Sequence, residues 1–257
     1  MAYRTLRFQR RGAVGVVLLH RPEKRNALSD AMVEELDACV AAVPESVRAL
    51  VLHGAGEHFC AGLDLSELSG RSAAQGVAHS RSWHRVFDRI QFGRVPVVAV
   101  LHGAVVGGGL ELASVAHIRV AEAGTFYALP EGQRGIFVGG GGSVRIARLM
   151  GVARMSDLML TGRLLKADEA ERYNLVQYVV PKGEALAKAK ELAARICKNA
   201  PLSNFAITNS LPRIQDMSYE DGLFVERLAS EYTRSPESME RLRAFLDKKA
   251  PRLQVPK

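Results

Sequence analysis

The sequence predicts an α/β fold with a largely parallel sheet, and three observations carry that prediction. Short apolar runs rich in β-branched residues alternate with helical periodicities through the first half of the chain. Glycine-rich loops follow several of those runs. Beyond Gly139 the pattern turns almost entirely helical.

Residues 1–12 (MAYRTLRFQRRG) alternate polar and apolar positions and read as a strand rather than a signal peptide or membrane span. Residues 13–20 (AVGVVLLH) form a second strand, closed by the RPEKRN loop. Ser29 is placed to cap a helix running to about Val43, with Met32, Val33, Leu36 and Val40 at helical spacing. Residues 48–53 (RALVLH) and 95–101 (VPVVAVL) are buried strands, and 115–121 and 125–129 are further short ones. Residues 185–198 place Leu186, Ala189, Leu192, Ala193 and Ile196 on one helical face, and Asn174 suits a left-handed helix stop. Residues 219–246 are helical with a break at Ser235-Pro236. The expected division is an α/β core over 1–195 and a helical C-terminal region over 196–257.

At 257 residues the chain can bury a sizeable core without disulfides or structural metal. Cys39, Cys60 and Cys197 are odd in number and far apart, which argues against a disulfide framework or a zinc site and suits a reducing cytoplasm. The net charge of +8 admits nucleic acid, an anionic surface or a phosphate-rich small molecule as partner. The basic residues are spread out, with doublets only at Arg10-Arg11 and Lys248-Lys249, and this argues against nucleic acid.

Three segments at strand ends are candidates to share one site, because ligands of parallel sheets sit beyond the strands' carboxyl ends. The first is Phe59-Cys60-Ala61-Gly62-Leu63-Asp64-Leu65. A turn entering a helix there leaves backbone N–H groups free for an anionic oxygen, though Asp64 also reads as an ordinary cap for a helix starting at Leu65. The second is Gly103-Ala104-Val105-Val106-Gly107-Gly108-Gly109-Leu110-Glu111, where three glycines permit close backbone approach. Glu111 falls on the first turn of the next helix, as a catalytic acid or simply a favourable first-turn one. The third is Ala128-Leu129-Pro130-Glu131, followed by Gly135 and the glycines at 139–142. That last run also reads as a flexible connection to a helix from Val144. Neither glycine cluster has the form of a Walker or Rossmann motif.

Taken in order, RPEKRNAL (21–28), FCAGLDL, VVGGGLELA and ALPEGQRG resemble the crotonase superfamily, the enoyl-CoA hydratase/isomerase group, over nearly the whole chain. The resemblance implies a spiral core of repeated ββα units with a helical C-terminal region that assembles trimers, commonly paired as hexamers. It implies an acyl-CoA thioester as substrate, with coenzyme A entering as part of that substrate and no separate cofactor or metal. CoA contacts would fall on Lys24, Arg25 and Ala27 and on Ala61, Asp64 and Leu65, with Lys248-Lys249 read equally as further phosphate contacts or as a solvated helix end.

By the same resemblance the oxyanion hole is formed by the backbone N–H groups of Leu63 and Gly108. The acid–base pair is Glu111 and Glu131, at the family's twenty-residue spacing. Glu111 would activate water and Glu131 would deliver the Cα proton, which implies an enoyl-CoA hydratase. Isomerisation or C–C cleavage on the same fold is the alternative, and a CoA-ester- or RNA-binding member is the non-enzymatic one. Residues 132–134, 138–142 and 237–241 depart from the family pattern. Leu68, Trp83, Phe87, Phe137 and Met150 read equally as pocket walls or core, and His53, His58, His102 and His117 as packing or surface residues.

Overall fold

The computed structural model describes residues 3–67 and 70–249. The chain forms two compact units, Met1–Cys197 and Lys198–Lys257.

In the first unit, β1 (Leu6–Arg11) and β2 (Val14–Leu19) make an antiparallel hairpin across Gly12, whose φ of +60° suits glycine. α1 (Asp30–Ala41) follows, with the Ser29 hydroxyl accepting from the Met32 N–H. Then come β3 (Ala49–Gly54), α2 (Ala73–Gln91), β4 (Val97–Leu101), β5 (Ala104–Val106) and α3 (Gly108–Ser114). β6 (Ile118–Glu122), β7 (Phe126–Ala128), α4 (Gly142–Met150), α5 (Val152–Thr161), β8 (Leu165–Lys166), α6 (Ala167–Arg172), β9 (Tyr178–Val180) and α7 (Ala185–Ile196) complete it.

The six-stranded sheet has the order β1-β2-β3-β4-β6-β9 and is parallel from β2 onward. A second layer holds β5-β7-β8, extended by single bridges at Leu28–Leu63 and Cys60–Val105. Each inner strand of the large sheet is therefore followed by a piece of the second layer and then a helix. β2 leads to Leu28 and α1, β3 to Cys60 and Leu63 and then α2, β4 to β5 and α3, and β6 to β7 and α4. This is the repeated ββα spiral that the resemblance implied.

Strands buried on both faces read as unbroken apolar runs, and their period of two sorts side chains between faces. Leu50, Leu52, Val97, Ala99 and Leu101 enter the main core with Met32, Leu36, Trp83 and Phe87. Ala49, Val51, Val98 and Val100 face the other way, where α7 covers them with Ala185, Ala189, Leu192 and Ala193. Among the described residues no helix is long and apolar enough to cross a membrane.

In the second unit, α8 (Pro201–Ile214), α9 (Tyr219–Tyr232) and α10 (Pro236–Leu246) follow one another. The Phe205 and Tyr232 rings, at opposite ends of α8 and α9, lie 6.2 Å apart, so these helices pair antiparallel. Ser218 and Ser235 cap α9 and α10, which places the expected break at Ser235-Pro236.

Three sequence expectations are corrected. The strand expected at 115–121 begins only at Ile118, because Val115 still closes α3. The region beyond Gly139 is not wholly helical, since β8 and β9 return to the two sheets. The helix expected from Leu65 starts there but is a single tight turn, Leu65–Glu67, and the long helix α2 begins only at Ala73 under a Ser72–Gln75 capping box.

Candidate active site

The three strand-end segments meet at one cavity of about 440 Å³, which Leu63, Trp83, Gly108, Glu111, Glu131 and Phe137 help to line. Two features of the backbone aim N–H groups into it. The parallel bridge between Leu28 and Leu63 uses the Gly62 carbonyl and the Asp64 N–H, so Leu63's own N–H points the other way. Gly108 opens α3, and the first bonds of that helix run from Leu110 and Glu111 to the Gly107 carbonyl, at 2.8 and 3.0 Å. Among the described residues neither the Leu63 nor the Gly108 N–H has an acceptor. The two groups are neighbours, because a Cβ built on Gly108 would lie 3.4 Å from the Leu63 nitrogen.

Glycine is required around them by space. A Cβ on Gly109 would stand 2.3 Å from the Cys60 carbonyl oxygen, so only glycine lets α3 approach the second layer. Gly107 combines φ +51° with 2.8 Å from its would-be Cβ to Glu131 Oε1.

The two glutamates sit in unlike surroundings. Glu111 is 4% exposed, and its Oε1 accepts from the Gly140 and Gly142 N–H groups, each at 2.8 Å. The run 139–142, which also read as a flexible connection, is a backbone cradle for this carboxylate. Burial pushes the Glu111 carboxyl up, while the N–H groups of Gly142, Gly140 and Gly139 and the nearby His84 pull it back. Glu131 is 6% exposed, and its Oε2 is buried without a partner among the described residues. Burial again pushes its pKa up; its own backbone N–H opposes this, the charge of Glu111 adds to it, and Arg134 opposes it. Both carboxyls thus hold a proton more tightly than an ordinary glutamate, Glu111 despite two backbone donors on one oxygen and Glu131 with one oxygen that meets no donor among the described residues.

The residues expected to bind CoA form a second group, outside the lining of this cavity. Pro22–Lys24 is a tight turn, and Arg25 and Asn26 follow in the left-handed region, at φ +50° and +55°. Asn26 pins them there: it is fully buried, accepts from the Arg21 N–H at 3.0 Å and donates to the Ala55 and His58 carbonyls at 2.8 Å. The Ala61 N–H donates to the Arg25 carbonyl at 3.0 Å. Arg21 joins the two segments, donating to the Ala27 carbonyl at 2.7 Å and to Asp64 Oδ2 at 2.9 Å. Hydrogen bonds from Ser66 and Arg21 hold the Asp64 carboxyl below the usual range. Lys24, Arg25, Ala27, Ala61, Asp64 and Leu65 are therefore brought together, with Leu65 exposed.

Of the expected pocket walls, Trp83 and Phe137 line the cavity, Phe137 at its open edge with 69% exposure. Phe87 lies behind them, its ring 5.7 Å from Trp83, and Met150 belongs to the core. Leu68 lies outside the described residues. His117 is structural, its Nδ1 accepting from the Val97 N–H and its Nε2 donating to the Gln91 carbonyl, with burial pushing its pKa down to about 4. Among the described residues no cluster of three or more His, Cys, Asp or Glu side chains is placed to hold a metal.

Sequence reasoning missed the polar side chains that α2 and the residue before its cap bring to the cavity: Arg71, Ser72, His79 and Ser80. The signal available was the S-x-x-Q box at Ser72–Gln75, which sets where the helix begins and so which face it turns inward.

Residues 9–255 match the family model described as enoyl-CoA hydratase/isomerase. The short-chain-enoyl-CoA hydratase of Clostridium acetobutylicum is 34% identical over 94% of each chain. A solved Rhodopseudomonas palustris structure, provisionally assigned as an enoyl-CoA hydratase, is 54% identical over 95% of each chain, with a TM-score of 0.92. The enoyl-CoA hydratase structure from Bacillus anthracis is 31% identical over 97% of this chain and 98% of its own, with a TM-score of 0.90. With its ββα spiral and paired glutamates, the chain belongs to the enoyl-CoA hydratase/isomerase family.

Proposed function

We propose that this protein is an enoyl-CoA hydratase, adding water across a 2,3-unsaturated acyl-CoA to give the 3-hydroxyacyl-CoA. The observation that carries this is the pair of buried glutamates beside two N–H groups that have no acceptor among the described residues, all in one cavity. Glu111, oriented by the Gly140 and Gly142 N–H groups, takes a proton from water as the oxygen bonds to Cβ. The double-bond electrons move toward the thioester, whose oxygen takes up negative charge between the Leu63 and Gly108 N–H groups. A preorganised donor of this kind contributes about 3–4 kcal/mol to lowering the barrier. Glu131, favoured as the neutral acid, gives its proton to Cα, and transfer from Glu111 back to Glu131 restores the start. Coenzyme A enters on the substrate, over the surface that Lys24, Arg25, Ala27, Ala61, Asp64 and Leu65 share, and the reaction calls for no other cofactor.

The relatives' printed activities agree with hydration. The test is loss of crotonyl-CoA absorbance, with a product heavier by one water. Glu131→Gln should lower kcat by about 10²- to 10⁴-fold while thioester binding persists. Full activity in that variant, or a product of unchanged mass, would sink the assignment.

The second unit is proposed to assemble trimers or pairs of trimers. Leu211, Phe224, Leu228 and Phe245 are each more than half exposed, a concentration of apolar surface that a lone chain rarely leaves open. Light scattering on a sizing column reads the mass, and a monomer at micromolar concentration would refute it.

A further inference from the structure

The cavity continues along α2 well beyond its catalytic end. Ser72, Ala73, Gly76, His79, Ser80 and Trp83 recur at helical spacing along its lining. At 1.5 Å per residue, about 16 Å of helix separates Ser72 from Trp83. Trp83 marks the catalytic end, because a Cβ on Gly108 would lie 3.5 Å from its ring. His79 lies one helical turn further out, its ring 5.3 Å from that of Trp83.

A polar cluster stands at this level. Asp30, the first residue of α1, holds His79 Nε2 on Oδ1 at 2.6 Å and Arg71 Nη2 on Oδ2 at 2.5 Å. Its backbone N–H donates to Glu67 Oε2 at 2.8 Å. The other end of the Arg71 guanidinium, Nη1, is buried and has no acceptor among the described residues, although Arg71 lines the cavity. A buried cationic donor left unmet is costly, and the ion pair with Asp30 satisfies only one side of the fork. Trp83, Ile136, Phe137 and Val138 make the remaining wall apolar.

We propose that Arg71, anchored by Asp30 beside His79, forms a subsite for an acyl group carrying a neutral hydrogen-bond-accepting oxygen beyond Cβ, and that it sets acyl specificity. The oxygen is a carbonyl, ether or hydroxyl rather than a carboxylate, because the Asp30 carboxylate already pairs with the single guanidinium. An acceptor at Nη1 would complete the fork, whereas a plain alkyl chain leaves it unmet. This rests on reading the cavity as an acyl-CoA site.

The test compares trans-2-octenoyl-CoA with equal-length analogues bearing one ether or keto oxygen at C5, C6 or C7, and with an ω-carboxylate. Hydration kcat/KM is measured on the full chain, and calorimetric binding of the saturated counterparts reads the same ratio without turnover. One oxygen position should be preferred over the plain chain by about 10- to 100-fold. Arg71→Met should bring that ratio within about twofold of unity, and Arg71→Lys, which keeps a donor, should retain part of it. A merely structural Arg71 would not move a preference that depends on oxygen position. Equal or better handling of the plain chain, a preference surviving in Arg71→Met, or a preference for the carboxylate alone overturns the proposal. If Arg71→Met does not fold, the wild-type ratio and Arg71→Lys decide it. Binding of these thioesters without hydration refutes the hydratase reading and leaves the ratio to judge the subsite, while failure to bind any of them overturns both.

Discussion

The glycines at 107–109 and at 139–142 look alike as text, yet their missing side chains make room for different things. At Gly109 the space is taken by backbone, the Cys60 carbonyl of the second layer. At Gly142 it is taken by the Glu111 side chain, whose Cγ and Oε1 would lie 2.8 and 2.9 Å from an added Cβ. The first run packs the layers at Gly109, makes room for the Glu131 carboxyl at Gly107 and leaves the Gly108 N–H without an acceptor among the described residues. The second is a carboxylate holder, giving a glutamate only 4% exposed the two backbone donors that offset part of the cost of its burial. Glycine runs therefore have to be read by what fills the Cβ position.

The largest effect should come from the first run. Gly109→Ala drives a methyl into a backbone oxygen that cannot yield, so it should cost on the order of 3 kcal/mol and lower Tm by about 6–12 °C. Urea or thermal denaturation measures this, and an unchanged midpoint would show that the layers are not tightly apposed.

The second run should answer differently. Gly142→Ala displaces the Glu111 carboxyl, and a misplacement of that size should lower kcat by about 10- to 100-fold. Its thermal loss should be smaller than that of Gly109→Ala. A melt as low as that of Gly109→Ala, with kcat intact per folded molecule, would erase the distinction between the runs.

A third expectation concerns the acid that Gly107 makes room for. Burial and the charge of Glu111 raise the folded-state pKa of Glu131 above its unfolded value, so the folded chain binds that proton more tightly. Stability is then lost as pH rises from the unfolded carboxyl range through the folded pKa. Glu131→Gln removes the loss, and should raise Tm by about 2–4 °C at pH about 8 with no gain at pH about 4. Differential scanning calorimetry at the two pH values reads it, and a gain at the lower pH instead would reverse the sign argued here.

The smallest effect is the internal control. The nearest atom to a Cβ on Gly139 is Ser80 Oγ, at 3.9 Å, so Gly139→Ala should change stability by no more than about 0.5 kcal/mol. A loss comparable to that of Gly142→Ala would mean the whole run, rather than its individual positions, is constrained.

Much of the fold was legible because it rests on local chemistry. The Ser29 cap, the left-handed Asn174 and the apolar runs that became β3 and β4 are decided by residues within a turn or two of one another. The start of α2 was misplaced because Asp64 offers a plausible cap, yet Arg21, more than forty residues away in sequence, takes one oxygen of that carboxyl. The site was legible as a set of residues through the family resemblance, but Arg71 and His79 were not. Their partner is Asp30, which reaches them only once α1 and α2 are packed.

By itself, then, the sequence determined the α/β class, the ordered strand-end segments, the paired glutamates and the family. Each depends on residue identity and spacing, which survive being read one segment at a time. Only the tertiary structure decided that Leu63's N–H points away from its bridge partner, that Glu111 is held by two glycine amides, and that Glu131 Oε2 and Arg71 Nη1 are buried without a partner among the described residues. Those depend on which backbone groups are already spent on pairing partners distant in sequence, and that accounting closes only when the two layers are stacked.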